Sequence, residues 1–219
     1  MPKVRGYGSK KLKPVLHIFC EGEKTEPNYL NGYLQKNYSG NRLLKVVRVE
    51  KTKKNTPVQL VDEAINLKHD KSTPDEDSFW VVYDREATSK YSDALHKRAL
   101  DKSRAEEINV SITNVCFEVW LLLHFDDLTA SYSSCTDLLR NSALKVELSK
   151  LGITKYDKAD NNLFGLIADK VSPARKRAER MNRATLNCSY ETEDNPHLLN
   201  PYTGIYKLLD AIDDFVKSS

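Results

Sequence analysis

The stretch Val15 to Leu34, VLHIFCEGEKTEPNYLNGYL, decides the fold class. Val15, Leu16, Ile18 and Phe19 make a nearly continuous apolar run, with His17 as its only polar interruption. Such a run marks a strand covered by helices on both faces. Glu21-Gly22 breaks it, Thr25 can cap a following helix, Pro27 suits the first turn, and Tyr29, Leu30, Tyr33 and Leu34 recur at helical spacing. The acidic loop therefore sits at the carboxyl end of a strand, the edge where open α/β sheets bind ligands. Glu21, Glu23 and Glu26 place three carboxylates there. Their repulsion calls for a counter-charge, which a hard divalent cation such as Mg²⁺ would supply.

The same pattern recurs downstream. Leu43 to Val49 reads as a strand, Thr56-Pro57 opens a helix striped by Val58, Val61, Ala64, Ile65 and Leu67, and Ser72 to Asp77 is a polar loop. Phe79 to Tyr83 (FWVVY) is the next buried strand and runs directly into Asp84-Arg85-Glu86. Ser92 can cap a helix carrying Ala94, Leu95 and Ala99, and Ile108 to Thr113 is a fourth strand. Strands alternating with helices predict a doubly wound, mostly parallel α/β sheet. Residues two apart on an extended segment point the same way, so Asp84 and Glu86 face the ligand edge together. If FWVVY lies beside the first strand, Glu21 and Glu26 approach Asp84 and Glu86 across a cleft. The four carboxylates then form a cage for one or two Mg²⁺ or Mn²⁺ ions, an arrangement suited to phosphoryl transfer. Each acid alone reads as well as a solvated loop charge; shared placement at two strand ends singles them out.

Asn114 to Asp127, NVCFEVWLLLHFDD, is apolar nearly all round and reads as a buried helix or a helix-strand junction. Glu118 inside it needs a partner. It could take backbone donors near a helix start, or reach the metal site directly or through another ligand. His124 reads as a satisfied core histidine and stays outside the catalytic set. The last third reads as a helical lobe. Asp137 to Leu151 is one helix ended by Gly152, Leu163 to Ile167 begins another that Pro173 interrupts, and Ile205 to Val216 is a closing amphipathic helix. The expected organisation is a basic flexible arm over 1–14, an α/β core over 15–134 and a helical lobe over 135–219 that packs back on the core.

Lys and Arg total 34 against 31 Asp and Glu, a net charge of +3 that points to nucleic acid only where it is clustered. Two clusters occur. Lys3, Arg5, Lys10, Lys11 and Lys13 precede the first acid, and Arg175, Lys176, Arg177, Arg180 and Arg183 surround a single one, Glu179. The second cluster is either a solvated face or, near a carboxylate-metal site, a track for a phosphate backbone. Lys158 is either a surface lysine or the group that neutralises charge on a transferred phosphate. No segment approaches the ~20 apolar residues of a membrane span, and the start lacks the apolar stretch of a signal peptide, so a cytoplasmic protein is expected. Cys20, Cys116, Cys135 and Cys188 have no paired spacing of a zinc site or disulfide framework and read as reduced thiols.

CEGEKTEPNYL (Cys20 to Leu30), the strand followed by Asp84-Arg85-Glu86, NVCFEVWLLLHF (Asn114 to Phe125), YDK (Tyr156 to Lys158) and NPYT (Asn200 to Thr203) resemble, in the same order, the motifs of RloB-like proteins. These are similar to the Toprim superfamily, whose metal-dependent members include topoisomerase, primase and OLD-type nuclease domains. The resemblance implies a Toprim-like core and a Mg²⁺- or Mn²⁺-dependent nuclease acting on DNA or RNA, tRNA included. It also implies a role in bacterial or archaeal defence against phage and an ATPase encoded next door as partner; a homo-oligomer is compatible with it. It carries Glu21 onto the Toprim glutamate, Asp84 and Glu86 onto the paired acids, and Glu26 onto the further acid of OLD-type loops, with Glu23 as a substitute. The second paired acid is glutamate where Toprim domains usually have aspartate. That keeps open a second reading, a non-catalytic Toprim-like module that binds nucleic acid or the ATPase.

Overall fold

The computed structural model describes residues 13–38 and 46–218. Its sheet has the order β2 (Val47–Glu50), β1 (Leu16–Cys20), β3 (Ser78–Asp84), β4 (Asn109–Asn114), β5 (Tyr202–Thr203). The first four strands are parallel, and β5 runs antiparallel to β4. Successive side chains of β1 enter two different cores, which is why its apolar run has no polar face. Leu16, Ile18 and Cys20 pack with α1 (Thr25–Tyr38), α4 (Glu118–Leu122) and the C-terminal helices. Phe19 packs on the other face with Phe79, Val81, Tyr83 and residues of α2 (Pro57–Lys68) and α3 (Asp93–Ala105). His17, the one polar residue of β1, lies at the opposite end from the acids, its ring nitrogens 2.6 Å from Glu50 and 3.0 Å from Asp77.

Two of the three caps read from sequence form, whereas Thr25 lies inside α1 as its first residue and its hydroxyl donates to the Lys158 carbonyl. Thr56 and Ser92 accept from the amides of Gln59 and Leu95 at the starts of α2 and α3. The segment after β4 is a junction: a turn through Val115 to Phe117, then the short buried α4. Residues 1–12 of the basic arm expected over 1–14, and residues 43–45 of the expected second strand, lie outside the described residues.

Two helical expectations need correction. The helix expected over 137–151 is two, α5 (Cys135–Asn141) and α6 (Leu144–Lys150), parted by Ser142 in an extended conformation. The Ser142 hydroxyl accepts from the Leu144 amide, a local bond that competes with helix continuation. Pro173 does not interrupt a helix. It lies in the first turn of α8 (Val171–Asn187), where no amide donor is needed, and the break comes earlier, in a 3₁₀ turn over Ala168–Lys170 after α7 (Leu163–Ile167).

The C-terminal region is tied into the sheet. β5 pairs with β4, the Thr113 and Thr203 hydroxyls lie 3.0 Å apart, and the Asn182 side-chain amide of α8 bonds both the N–H and the carbonyl of Thr203. α9 (Ile205–Ser218) then lays Ile205, Leu208, Leu209, Ile212 and Val216 into the core beside β4.

Candidate functional site

Parallel pairing of β1 with β3 sets two acidic strand ends side by side. Cys20 is in register with Val82, and the Glu21 amide continues the ladder to the Val82 carbonyl at 2.9 Å. Glu21 Oε2 accepts from the Asp84 amide at 3.1 Å and Oε1 from the Tyr91 hydroxyl at 3.2 Å. Beyond Asp84 the ladder runs on, Arg85 to Thr113 and Glu86 to Val115, before Glu86 turns the chain with a left-handed φ of 58°. A non-glycine residue pays strain in that region, as residues at functional sites often do. Glu86 accepts from Lys90 Nζ at 2.7 Å, four residues on.

Arg85 points to the far side of the strand. Its buried guanidinium donates to the carbonyls of His197 and Tyr91 and to Asp93, which anchors the tip that carries both acids.

Glu26, in the first turn of α1, is buried, and Gly22 is what leaves room for it: a Cβ at that position would stand 2.2 Å from Glu26 Oε2. The α1 start also fixes Lys158. Thr25 Oγ1 donates to the Lys158 carbonyl at 3.1 Å, and the Asn28 amide to the Ala159 carbonyl at 3.4 Å. Glu21, Glu23, Glu26, Asp84 and Glu86 thus share one cleft of about 360 Å³, with Lys24, Lys90 and Lys158 as its cations.

The charges of this cleft do not balance. Burial, then the nearby charges of Glu26, Glu118 and Glu21, push the Asp84 carboxyl well above the ordinary range. Burial also raises Glu26, with Glu118 and Glu86 adding to it. Glu21 is pushed up to about 7, again by burial first, against the opposing hydrogen bond from the Asp84 amide. Glu118 behaves oppositely. Burial, the largest single effect, would raise it, but Lys158, 3.0 Å away, together with hydrogen bonds from Cys116 and the backbone, holds it below its ordinary value. Glu118, fully buried at the start of α4, also accepts from Tyr156 Oη at 3.0 Å and from Cys135 Sγ at 3.3 Å.

The sheet brings Glu21, Glu26, Asp84, Glu86 and Lys158 to one cleft, and Glu118 stands behind it through Lys158. Its donors are all carboxylate oxygens, a set that could hold a hard divalent cation. No three of them close to within 4.8 Å; the one group of three potential ligands that does, among the described residues, is Cys116, Glu118 and Cys135. Lys90, Tyr91 and Asn55 also line the cleft, and sequence reasoning did not single them out.

The basic cluster lies elsewhere: none of Arg175, Lys176, Arg177, Arg180 and Arg183 lines the cleft. Arg175 bonds Asp210 at 2.6 Å and Asp213 at 2.8 Å, and Arg177 bonds the carbonyls of Leu123 and His124. Arg180 pairs with Asp127 and Arg183 with Glu179, both with exposed side chains. His124 lies in the core, its Nδ1 3.0 Å from the Trp120 carbonyl and its Nε2 2.9 Å from the Tyr29 hydroxyl. Among the described residues no helix is long and apolar enough to cross a membrane.

No curated protein and no solved structure matches this chain. A family model described as RloB-like protein matches residues 16–212, which include the β1–α1 acids, the β3 tip, α4 and Lys158. The chain therefore belongs to the RloB-like protein family.

Proposed function

We propose that this chain is a Toprim-like, Mg²⁺- or Mn²⁺-dependent nuclease that hydrolyses phosphodiester bonds of DNA or RNA in bacterial or archaeal defence against phage. The observation that carries the reading is the charge imbalance of the cleft: Glu21, Glu26 and Asp84 are raised, whereas Glu118, which has its own lysine, is lowered. The acids that lack a counter-charge are Glu21, Glu26 and Asp84, at the two strand ends and the start of α1. Glu21, Asp84 and Glu86 would hold the cation, with Glu26 closing the α1 side. Such an ion, when bound, supplies polarisation of a phosphoryl oxygen and an activated water.

The chain's own contribution is position and charge. The Asp84 amide and Tyr91 fix the Glu21 carboxylate, and Arg85 fixes the β3 tip from behind. Lys90 and Lys158 put positive charge on the cleft wall, where charge developing on phosphate would need it. Lys24 at the rim, and exposed Lys51, Lys53 and Lys54 leading into Asn55 of the wall, suit the flanking phosphates of a polyanion.

One observation favours the second reading, a non-catalytic module that binds nucleic acid or a partner. Glu86 is occupied by Lys90, and the cleft's carboxylates do not close on a common point. Incubation with plasmid DNA and with total RNA, plus Mg²⁺ or Mn²⁺, separates the two. New ends found with the parent and absent with Asp84→Asn support the nuclease; equal cutting by a clean Asp84→Asn preparation removes the metal assignment.

The residues of this sequence hold no glycine-rich phosphate loop ending in Lys-Ser or Lys-Thr, and we assign a nucleotide-driven restraint to a partner. A cytoplasmic ATPase encoded next door is the partner we assign. Co-expression should lower host toxicity and yield a co-purifying complex; full phage protection by this chain alone would make it an autonomous effector.

A further inference from the structure

Cys116 and Cys135 are distant in the sequence and adjacent in the fold. Cys116 lies in the turn that leads from β4 into α4, Cys135 opens α5, and Glu118 opens α4 between them. One ligand atom from each of the three lies within 4.8 Å of the others. One edge is shorter still, with Cys135 Sγ 3.3 Å from Glu118 Oε2. In a tetrahedral zinc centre, with Zn–S about 2.3 Å and Zn–O about 2.1 Å, a sulfur and an oxygen ligand stand roughly 3.6 Å apart. The side chains are therefore within a few tenths of an ångström of a ligand edge.

The surroundings suit a metal as well as the donors do. Two thiolates and one carboxylate around a dication leave one negative charge, and Lys158 Nζ, 3.0 Å from Glu118 Oε1 and 3.7 Å from Cys135 Sγ, supplies the balancing positive one. Tyr156 donates to Glu118 Oε1 at 3.0 Å, the kind of outer hydrogen bond that orients a ligand carboxylate. Cys116 and Glu118 are buried, whereas Cys135 is only partly so and Lys158 is half exposed, so the approach is from the Cys135 side. The sulfur donors separate this set from the all-oxygen cleft and select a thiophilic ion over Mg²⁺.

We propose that Cys116, Glu118 and Cys135 bind Zn²⁺, with a water in the fourth position, at a site distinct from the carboxylate cleft. Binding replaces the two thiol protons, which leave to solvent, with two Zn–S bonds. The ion joins α4 to α5 across the connection from Leu123 to Ser134 and keeps Glu118 facing Lys158. The proposal stands independently of the nuclease reading.

The test uses the full chain, stripped of metal under reducing conditions, with Co²⁺ as the optical probe and Zn²⁺ as the retained ion. The parent should develop a thiolate-to-cobalt charge-transfer band, strong visible bands of tetrahedral cobalt, and one zinc per chain after dialysis. Cys135→Ser, at a partly exposed helix start that tolerates serine, should lose the charge-transfer intensity and the retained zinc. Asp84→Asn should keep both. Zn²⁺ should raise the Tm of the parent and of Asp84→Asn but not of Cys135→Ser, and Mg²⁺ should not replace it. The proposal is overturned if the parent shows no charge-transfer band, if Cys135→Ser binds as the parent does, or if Asp84→Asn abolishes binding. A reduced parent that takes up no zinc, and forms a Cys116–Cys135 disulfide in air, overturns it equally.

Discussion

Replacing Glu21 with Gln should stabilise the metal-free protein at alkaline pH and change it little in acid. Burial raises the Glu21 carboxyl from 4.5 to about 7, so the unfolded chain ionises this group before the folded one does. A carboxyl whose folded value is the higher adds stability below its unfolded value and loses it as pH climbs through the folded value. The ionised group therefore costs the fold about 3 kcal/mol near pH 8 and less than about 1 kcal/mol near pH 5. Glu21 is not wholly buried, and solvent screening trims the alkaline figure to about 2 kcal/mol. Gln keeps an oxygen for the Asp84 amide, now 3.1 Å from Glu21 Oε2, and removes the charge. Urea unfolding in EDTA should show the variant ahead by that margin near pH 8, with the gap closing toward pH 5. Mn²⁺ should then raise the midpoint of the parent more than that of the variant, because a bound cation relieves the same repulsion. Equal gains at both pH values, or a loss at pH 8, would refute the reasoning.

Asp84→Ala should abolish cleavage while the protein purifies folded, since the Asp84 side chain is one of the crowded acids and its backbone, not its carboxylate, bonds Glu21; a parental rate in a clean preparation contradicts this. Converting Lys51, Lys53 and Lys54 to Gln should flatten the salt dependence of nucleic-acid binding by about one unit of slope for each phosphate no longer neutralised, and an unchanged slope contradicts their role. Arg175→Ala should instead lower the Tm, because Arg175 joins Asp210, Asp213 and Tyr33; an unchanged Tm contradicts that role. Burial depresses His96 and His124 to about 4, so both contribute stability above about pH 6.5 that is lost as pH falls from there toward 4. Their ring signals in NMR should stay neutral down to about pH 5, and protonation near pH 6 would remove this source of acid lability.

The acids of the two strand ends were legible because a physical rule links them: both follow unbroken apolar runs, and strands buried on both faces put their carboxyl ends at one edge. Period-two geometry likewise placed Asp84 and Glu86 together and sent Arg85 the other way. The partner of Glu118 was not legible, because Lys158 belongs to a loop that long-range bonds to Thr25, Asn28 and Glu118 bring near. The division between α5 and α6 escaped for a different reason. Leu138, Leu144 and Leu148 are buried as one helical stripe would bury them, and the break rests on Ser142 alone. β5, two residues long, is below what periodicity can register. The adjacency of Cys116 and Cys135 depends on the return of the chain after α4, which no spacing rule encodes.

The tie between the last segment and the sheet has a consequence for synthesis. Ribosomes deliver the chain from its N-terminus, and long-range contacts form late because loop closure must precede them. A nascent chain that has emerged as far as α4 holds Glu21, Glu26, Asp84, Glu86 and Glu118 but lacks Lys158, and β4 still waits for Thr203 and α9. The cleft then has Lys24 and Lys90 but lacks Lys158, and Glu118 has no counter-charge. The pairing of Glu118 with Lys158, and the closing of the sheet by β5, therefore come after the acidic strand ends are already in place.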